Sequence, residues 1–497
     1  MTALKETPQR KAFPGGVYRD KPCELEMQDH HMCAGGWEPQ SRQPKRAMVF
    51  SFSYHLHRAS AVCRQWRDII RTLPEYWSRV VIFLDLDEPL EDIEARIARS
   101  KGLPLDVRVI RSNWDDDVSD SSSGEDEESS QIKQEQSRAR EIMKILAPLV
   151  PRCRSFVFDT KYSSSLPFIS QYFRGTAPHL RVLKLQCQTE RRNVECPEIP
   201  TIKPEDEFTF PRLTTIVLDG CTFMDACRVP SWTRQVKSLY LDTLSISLLS
   251  VPDSHDDQFD MYKFADYLAK IGYIRHLSLA HIEIAYDPGT EDEGYHQYKV
   301  DNLTIENQDQ PWLEEFNLIT FGSSLCYYHL LDSSIAYESM TMAHHLRLER
   351  ITDFGYVFDR AIARHFGNRL DLVDCEGLKD HHLDVIARKC QLLRRLYLLD
   401  CPNITVQGLK NMITAREDVA GAYDEDRVIG DRDTSDETGS VVELTDEDDT
   451  ELADGYVDSG GANFTPIHRL HVQGHPHKLT KSERLWFKRR LEFFSWD

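Results

Sequence analysis

The chain has 497 residues, a formal net charge of −21 and 40% hydrophobic residues, among them 22 Phe, 19 Tyr and 8 Trp. That length exceeds one compact core, and that apolar content exceeds what a wholly disordered chain carries, so several units or one elongated repeat array are expected. No run of 18 apolar residues and no basic stripe with interleaved aromatics occurs, which argues against a membrane span and against nucleic acid as the main ligand.

The acidity is concentrated in two places. Residues 113–130 carry eight acidic side chains and no basic one, and residues 417–460 carry seventeen against only Arg427 and Arg432. Charge this dense leaves too little apolar surface to offset ordering entropy. Residues 113–136 and 417–460 therefore read as an acidic disordered loop and an acidic disordered insertion. Residues 1–45, rich in Pro, Gly, Gln and charge, read as a disordered tail, and Cys23, His30, His31 and Cys33 match no paired zinc-knuckle spacing. The first residues lack the apolar stretch of a secretory signal. A cytoplasmic or nuclear location is expected, with the twelve cysteines as thiols.

From Leu56 onward the pattern becomes helical. Leu56, Ala59, Cys63, Trp66, Ile70 and Leu73 step by threes and fours along one face, and Pro74 stops the helix by barring its predecessor from helical geometry. A turn bearing Trp77 and a strand over Val80–Phe83 complete an expected module at 46–85. Residues 86–112 read as a connecting helix and strand, and helical spacing resumes over 140–149.

Beyond that point the chain repeats itself. Apolar pairs two residues apart recur at Phe156/Phe158, Leu183/Leu185, Ile216/Leu218, Leu239/Leu241, Leu277/Leu279, Phe316/Leu318, Leu346/Leu348, Leu370/Leu372, Leu396/Leu398 and Leu470/Val472. A spacing of two puts both side chains on one face of a strand. A third inward position three residues on is expected at Cys221, Leu244, Ile282, Phe321, Ile351, Cys375 and Cys401. The units RLDLVDCEGLKDHHLDVIARKC (369–390) and RLYLLDCPNITVQGLKNMITAR (395–416) align with their cysteines 26 apart. Each reads as a strand, a tight turn closed by a buried Cys and a returning helix, which resembles the cysteine-containing leucine-rich repeat. One such unit cannot cover its own apolar face, so neighbours must stack. The expected fold is α/β: a curved leucine-rich-repeat solenoid over 137–416, with a small N-terminal α-helical module. A last repeat strand and a C-terminal capping helix are expected in 461–497.

The segment HLHRASAVCRQWRDIIRTLPEYWSRVVIFLD (55–85) resembles the second half of an F-box, through Val62, Cys63, Arg64, Trp66, Arg67, Pro74 and Trp77. Together with ARSKGLPLDVRV (98–109) and LAPLVPRCRSF (146–156), it is similar to fungal F-box proteins in which leucine-rich repeats follow. Residues 41–52 (SRQPKRAMVFSF) lack the L-P-x-E-[IL] opening of that family's first helix. The resemblance implies a substrate-recognition subunit of an SCF-type cullin–RING ubiquitin ligase. It would bind a Skp-type adaptor, and cullin through it, by Leu56, Val62, Cys63, Trp66, Ile70, Pro74 and Trp77. A protein target of unknown identity would lie on the concave strand face, at Tyr240, Ser278, Asn317, Arg347, Asp371 and Tyr397. The alternative is a leucine-rich-repeat scaffold without a ligase role.

No catalytic motif is present, and the carboxylates fall in solvated runs that fix no geometry, so no enzyme activity and no cofactor are expected. The repeat cysteines read as packing residues. His468, His471, His475 and His477 lack Cys or acidic partners at ligand spacing, so no metal site is expected.

Overall fold

The computed structural model describes residues 63–112, 125–189, 207–250, 259–284, 296–320, 325–336, 343–352, 354–363, 365–429 and 464–497. The expected N-terminal tail, Leu56, Val62 and Phe321 lie outside them. The chain divides into a unit Met1–Ile70 and a unit Arg71–Asp497. In the first, the described residues are Cys63 and the opening turns of α1 (Arg64–Thr72). Cys63 is exposed and precedes the helix, whereas Ile70 is buried. Leu73 leaves the expected stripe because Pro74 forces it into extended geometry (φ −91°, ψ 103°), where it is 39% exposed.

The second unit is built on one fourteen-stranded, all-parallel sheet in which strand order equals chain order. Its strands are β1 (Arg79–Phe83), β2 (Leu105–Ile110), β3 (Cys153–Tyr162), β4 (Val182–Thr189), β5 (Thr215–Asp219), β6 (Tyr240–Ser250) and β7 (Tyr273–Glu283). They continue as β8 (Val300–Glu306), β9 (Leu325–Leu331), β10 (Ala343–Glu349), β11 (Arg369–Val373), β12 (Arg395–Leu399), β13 (Arg469–Gln473) and β14 (Phe493–Trp496). The apolar pairs sit in register: Leu346 faces Leu370, which faces Leu396, which faces Leu470. These side chains are fully buried. They form one continuous core with the returning helices, which include α2 (Leu90–Arg99), α3 (Glu125–Leu146), α4 (Ile169–Tyr172), α5 (Gly220–Arg228), α6 (Pro230–Val236) and α7 (Met261–Lys270). The later ones are α8 (Gln310–Ile319), α9 (Tyr356–Ile362), α10 (Asp380–Lys389), α11 (Val406–Ile429) and α12 (Lys481–Arg490).

Several expectations move. The sheet starts at Arg79, so β1 and β2, expected as the end of a helical module and a connector, are its first two strands. Phe316 and Leu318 lie on α8, where Phe316 packs 6.4 Å from Phe264 of α7. Two strands the apolar spacing missed, β8 and β9, flank that helix with Leu303/Ile305 and Tyr328/Leu330 as their inward pairs. In β6 the registered pair is Leu244/Ile246 rather than Leu239/Leu241: Leu244 faces Ile216 and Ile246 faces Leu218 of β5, while Leu239 precedes the strand. Cys221 sits on α5, since Asp219 caps that helix directly by accepting from the Thr222 amide at 2.8 Å. The C-terminal segment folds as helix α12 followed by strand β14, with Phe494 and Trp496 continuing the inward pair.

The acidic stretches are shorter as non-helical chain than composition implies. Ile132, Ala139, Ile142, Met143 and Leu146 bury one face of α3, and that anchor carries the helix back to Glu125. Likewise Leu409, Met412 and Ile413 anchor α11, which runs on to Ile429.

A positive-φ residue recurs at one position, two residues after the second inward apolar residue: Leu248, His281, Asn307, Asp332, Arg350, Asp374, Asp400 and Gly474 in β6 to β13. For a residue with a Cβ this left-handed geometry costs about 1–2 kcal/mol, least for Asn and Asp. Its amide then donates to the next strand, as Asp374 does to Leu399 O at 2.8 Å and Asp400 to Gln473 O at 2.9 Å. Gly474 meets the same need without a side chain, and a Cβ there would collide with Asp400. The following residue turns inward. Cys375, Cys401 and Ser333 occupy that slot, and each donates to the carbonyl two residues back, at 3.3, 3.5 and 2.8 Å.

Arg416 joins the ends of the acidic excursion. Its buried guanidinium donates to the carbonyls of Thr465 (2.8 Å), Ala387 (3.0 Å), Gln391 (2.7 Å) and Leu393 (3.2 Å), with the Phe464 ring 5.2 Å away. Thr465 is itself pinned by its amide to Gln391 O at 3.0 Å. Burial lowers the Arg416 pKa to about 10, which still leaves it charged at neutral pH. Among the described residues no helix is long and apolar enough to cross a membrane.

Arg416→Met should therefore destabilise the chain by about 3–5 kcal/mol, since several buried carbonyls lose their donor at once. Urea unfolding measures it, and a loss below 1 kcal/mol contradicts the clamp. Asp159, buried beside Gln186 (2.8 Å), has its carboxyl raised to about 7 by burial, with Gln186 and Lys184 only partly offsetting. Its favourable contribution is complete below about pH 4 and lost as pH rises through 7. The melting temperature gained by Asp159→Asn over the parent should accordingly be larger at pH 8 than at pH 5; an equal gain at both contradicts the assignment.

Candidate functional site

One face of the sheet is covered by helices, and the other presents alternate side chains of every strand. Its central row runs in unbroken register through Val81, Arg108, Val157, Lys184, Val217, Ser245 and Ser278, then Thr304, His329, Arg347, Asp371, Tyr397, His471 and Ser495. The character changes along it. The first strands alternate Val with Arg108 and Lys184, and the middle strands carry hydroxyls. From β9 to β13 the row becomes charged and aromatic.

That last stretch is organised around two sunken carboxylates. Glu349 (7% exposed) accepts from Arg347 through Nε (2.9 Å) and Nη2 (2.7 Å), from His329 Nε2 (3.2 Å) and from Arg350 Nη1 (3.3 Å). Asp371 (3% exposed) takes a two-pronged bond from Arg369 (2.8 and 2.9 Å) and one from His345 Nε2 (2.9 Å). In each case the arginine stands two residues before the acid on the same strand, so both side chains share a face. Burial alone would raise the Glu349 carboxyl; hydrogen bonds from His329 and Arg347 outweigh it and hold it at about 2. Burial likewise pushes the Asp371 carboxyl up, and the hydrogen bonds from His345 and Arg369 outweigh burial and hold the carboxyl below its ordinary value. Burial lowers the His345 pKa despite its bond to Asp371. Over these acids lie rings: Arg369 stacks on Tyr397 at 4.2 Å, Tyr327 meets His345 edge-on at 4.7 Å, and Tyr397 lies 5.7 Å from His471. The face therefore offers cations and rings to a partner, while the acids hold them from below.

Of the expected target contacts, Ser278, Arg347, Asp371 and Tyr397 fall in this row. Asp371 is beneath the surface, where it orients Arg369 and His345. Tyr240 is exposed at the start of β6 and stacks on Tyr273 at 4.5 Å, away from the central row. Asn317 is not on the face at all: it lies on α8, and its Nδ2 donates to Leu313 O at 2.6 Å. The apolar-pair reading missed Thr304 and His329, whose strands it did not register. The Asn307 and Asp332 that follow them, two residues beyond the pair, are the available signal.

The expected adaptor contacts divide between the two units. Cys63 and Ile70 belong to the first; the Trp66 side chain lies outside the described residues. Pro74 opens a 3-10 turn in the second unit, and Trp77 is half-buried with the Arg99 guanidinium 4.6 Å from its ring. Burial pushes the Cys153 and Cys390 thiols up to about 12, which suits packing rather than reactivity. His475 donates to Ile404 O at 2.9 Å and His468 pairs with Glu492 at 3.0 Å; among the described residues no group of three His, Cys, Asp or Glu is placed to hold a metal. No protein-family model matches the chain, and no curated protein matches it either.

Asp371→Asn removes the charge that Arg369 and His345 share. It should cost about 1–3 kcal/mol at pH 7, less than for a fully buried pair because Arg369 is about a third exposed. Because the folded-state carboxyl titrates below its ordinary 3.8, that contribution is present above about pH 4 and is lost on further acidification. Chemical denaturation at pH 7 checks it, and an unchanged midpoint contradicts the supporting role.

Proposed function

We propose that this chain is a non-enzymatic recognition protein, the substrate-receptor subunit of an SCF-type cullin–RING ubiquitin ligase in the cytoplasm or nucleus. The second unit is read as a curved leucine-rich-repeat solenoid whose open strand face receives a protein target. The segment around Val62–Trp77 is read as an F-box-like element that docks a Skp-type adaptor. The observation that carries the recognition role is the in-register row from Ser278 to His471, where rings and guanidinium groups are held outward by buried carboxylates. Side chains fixed in this way lose little further freedom on binding, which favours affinity. The chemistry would belong to other subunits, and this chain would raise the target's effective concentration near them. The ligase role rests on the resemblance of residues 55–85 alone.

A second reading, a protein-interaction scaffold without a ligase role, is favoured by the sequence of residues 41–52, which lacks L-P-x-E-[IL]. Affinity purification of the tagged full chain distinguishes the two. The ligase reading expects the adaptor and cullin to co-purify and to be lost on Trp66→Ala, with other interactors retained. Recovery of interactors without any adaptor overturns it in favour of the scaffold.

A further inference from the structure

β14 stands last in the order of the sheet, so among the described residues one of its two edges has no neighbouring strand. Along a parallel strand, successive residues turn their main-chain groups to opposite sides. The amides of Phe493 and Asp497 reach back to His468 O (3.1 Å) and Val472 O (3.0 Å), so those of Phe494 and Trp496 point away from the sheet. The strand reads Phe-Phe-Ser-Trp, without the charge, proline or bulge that usually blunts an edge. The helix before it supplies the rest of the surface. Phe487 of α12 stacks on Phe494 at 4.7 Å and fixes the helix against the strand. The exposed side of α12 carries Lys481, Arg484, Lys488 and Arg489 around an exposed Leu485, with Lys478 just before the helix. Among the described residues none of these five cations has an ion-pair or hydrogen-bond partner for its side chain. The acids at hand are engaged elsewhere: Glu483 by Thr480 and Lys410, Glu417 by Arg490, Glu492 by His468 and Asp497 by Ser495.

We propose that the free edge of β14 and the exposed side of α12 form a docking surface for an extended acidic segment of a partner protein, which adds a fifteenth strand to the sheet. The surface is separate from the open face and from the segment around Val62–Trp77, and it rests on neither of their assignments. The edge supplies main-chain hydrogen bonds, which any extended peptide can satisfy. Charge selects among the occupants. A second copy of the chain would pair this edge with itself and bring the unpaired cations of both copies together, which like-charge repulsion opposes. A lipid surface takes a broad apolar stripe, whereas α12 turns only Leu485 outward and packs Trp486 and Phe487 on the core. An acidic segment laid along β14 brings the opposite charge instead. A helix is about 10 Å across, so the cations of α12 act on that segment over roughly a Debye length. Such exposed pairs set partner choice and association rate, while the added strand supplies the register.

The test is capture, by the immobilised full chain, of short degenerate peptide pools of equal apolar content, one rich in Asp and Glu and one rich in Lys and Arg. The acidic pool should be enriched by about tenfold, as several exposed ion pairs acting together give. N-methylation of its backbone should abolish capture, because the methylated peptide has no amide donor for the edge. In Arg484→Glu/Lys488→Glu the preference should invert, with the basic pool captured instead. Both positions are exposed and unpaired, so this variant should melt near the parent temperature. Arg140→Glu/Lys144→Glu, the same charge change on the exposed side of α3, should keep the preference for acid. Equal capture of both pools, capture that survives N-methylation, or an unchanged preference in the α12 variant overturns the inference. So does loss of the preference in the α3 variant, or stronger capture of phosphatidylserine vesicles than of the acidic pool. Dimerisation of the chain in sedimentation, reversed by Phe493→Lys, overturns it in favour of a second copy. Adaptor co-purification is untouched by any of these outcomes, so this surface and the ligase role stand or fall separately.

Discussion

The structure depends on parallel strands that keep a fixed register across thirteen consecutive pairings. A one-residue slip anywhere would turn a buried leucine pair outward and a charged row inward, so the register is defended by every inward pair at once. The left-handed residue after the second apolar position contributes a further rung. It bends the chain toward the core while its amide still reaches the next strand, so the ladder continues through the turn. The cost of positive φ at Asn307, Asp332 and Arg350 is set against that extra hydrogen bond and against burial of the residue that follows. From β10 to β12 that following residue is Ile351, Cys375 and Cys401 in turn.

The register also determines what the open face can do. Because side chains alternate, whatever lies between the two leucines is presented outward, and its neighbours are whatever lies between the leucines of adjacent repeats. The residue before the first leucine shares that face, so Asp371 and His345 meet diagonally across strands, as do Arg369 and Tyr397. Recognition and folding are thus coupled. The same pairing that buries Leu370 against Leu396 aligns Arg369 with Arg395. Insertions between strands leave this face undisturbed as long as their ends are tied, and Arg416 ties the longest of them by its four bonds to main-chain carbonyls.

The inward pairs of β10 to β13 were legible in the sequence because leucines recur there with little interruption, and the 26-residue step between Cys375 and Cys401 places both at equivalent turns. Two limits held elsewhere. Apolar spacing of two is ambiguous within a helix, and Phe316/Leu318 satisfied it on α8 while the true strands, with Tyr328 as an inward residue, looked less aliphatic. Dense charge was read as unstructured chain, although a few apolar anchors further along α3 and α11 suffice to extend a helix into it. The open face was legible only as single positions. The pairing of Arg369 with Asp371 is local and visible, but the alignment of Arg395 with Arg469 spans an excursion of more than sixty residues and emerges only from the register.

Hydrogen–deuterium exchange of the full chain tests the central claim most directly. Continuous registered pairing predicts slow exchange at the strand amides from Val80 through Val472, with residues 302–306 and 327–331 protected as strongly as 346–349 and 396–399. The amides of Asp332, Asp374 and Asp400 should share that protection. Rapid exchange over 302–306 and 327–331, or at those turn amides, would contradict a single uninterrupted sheet.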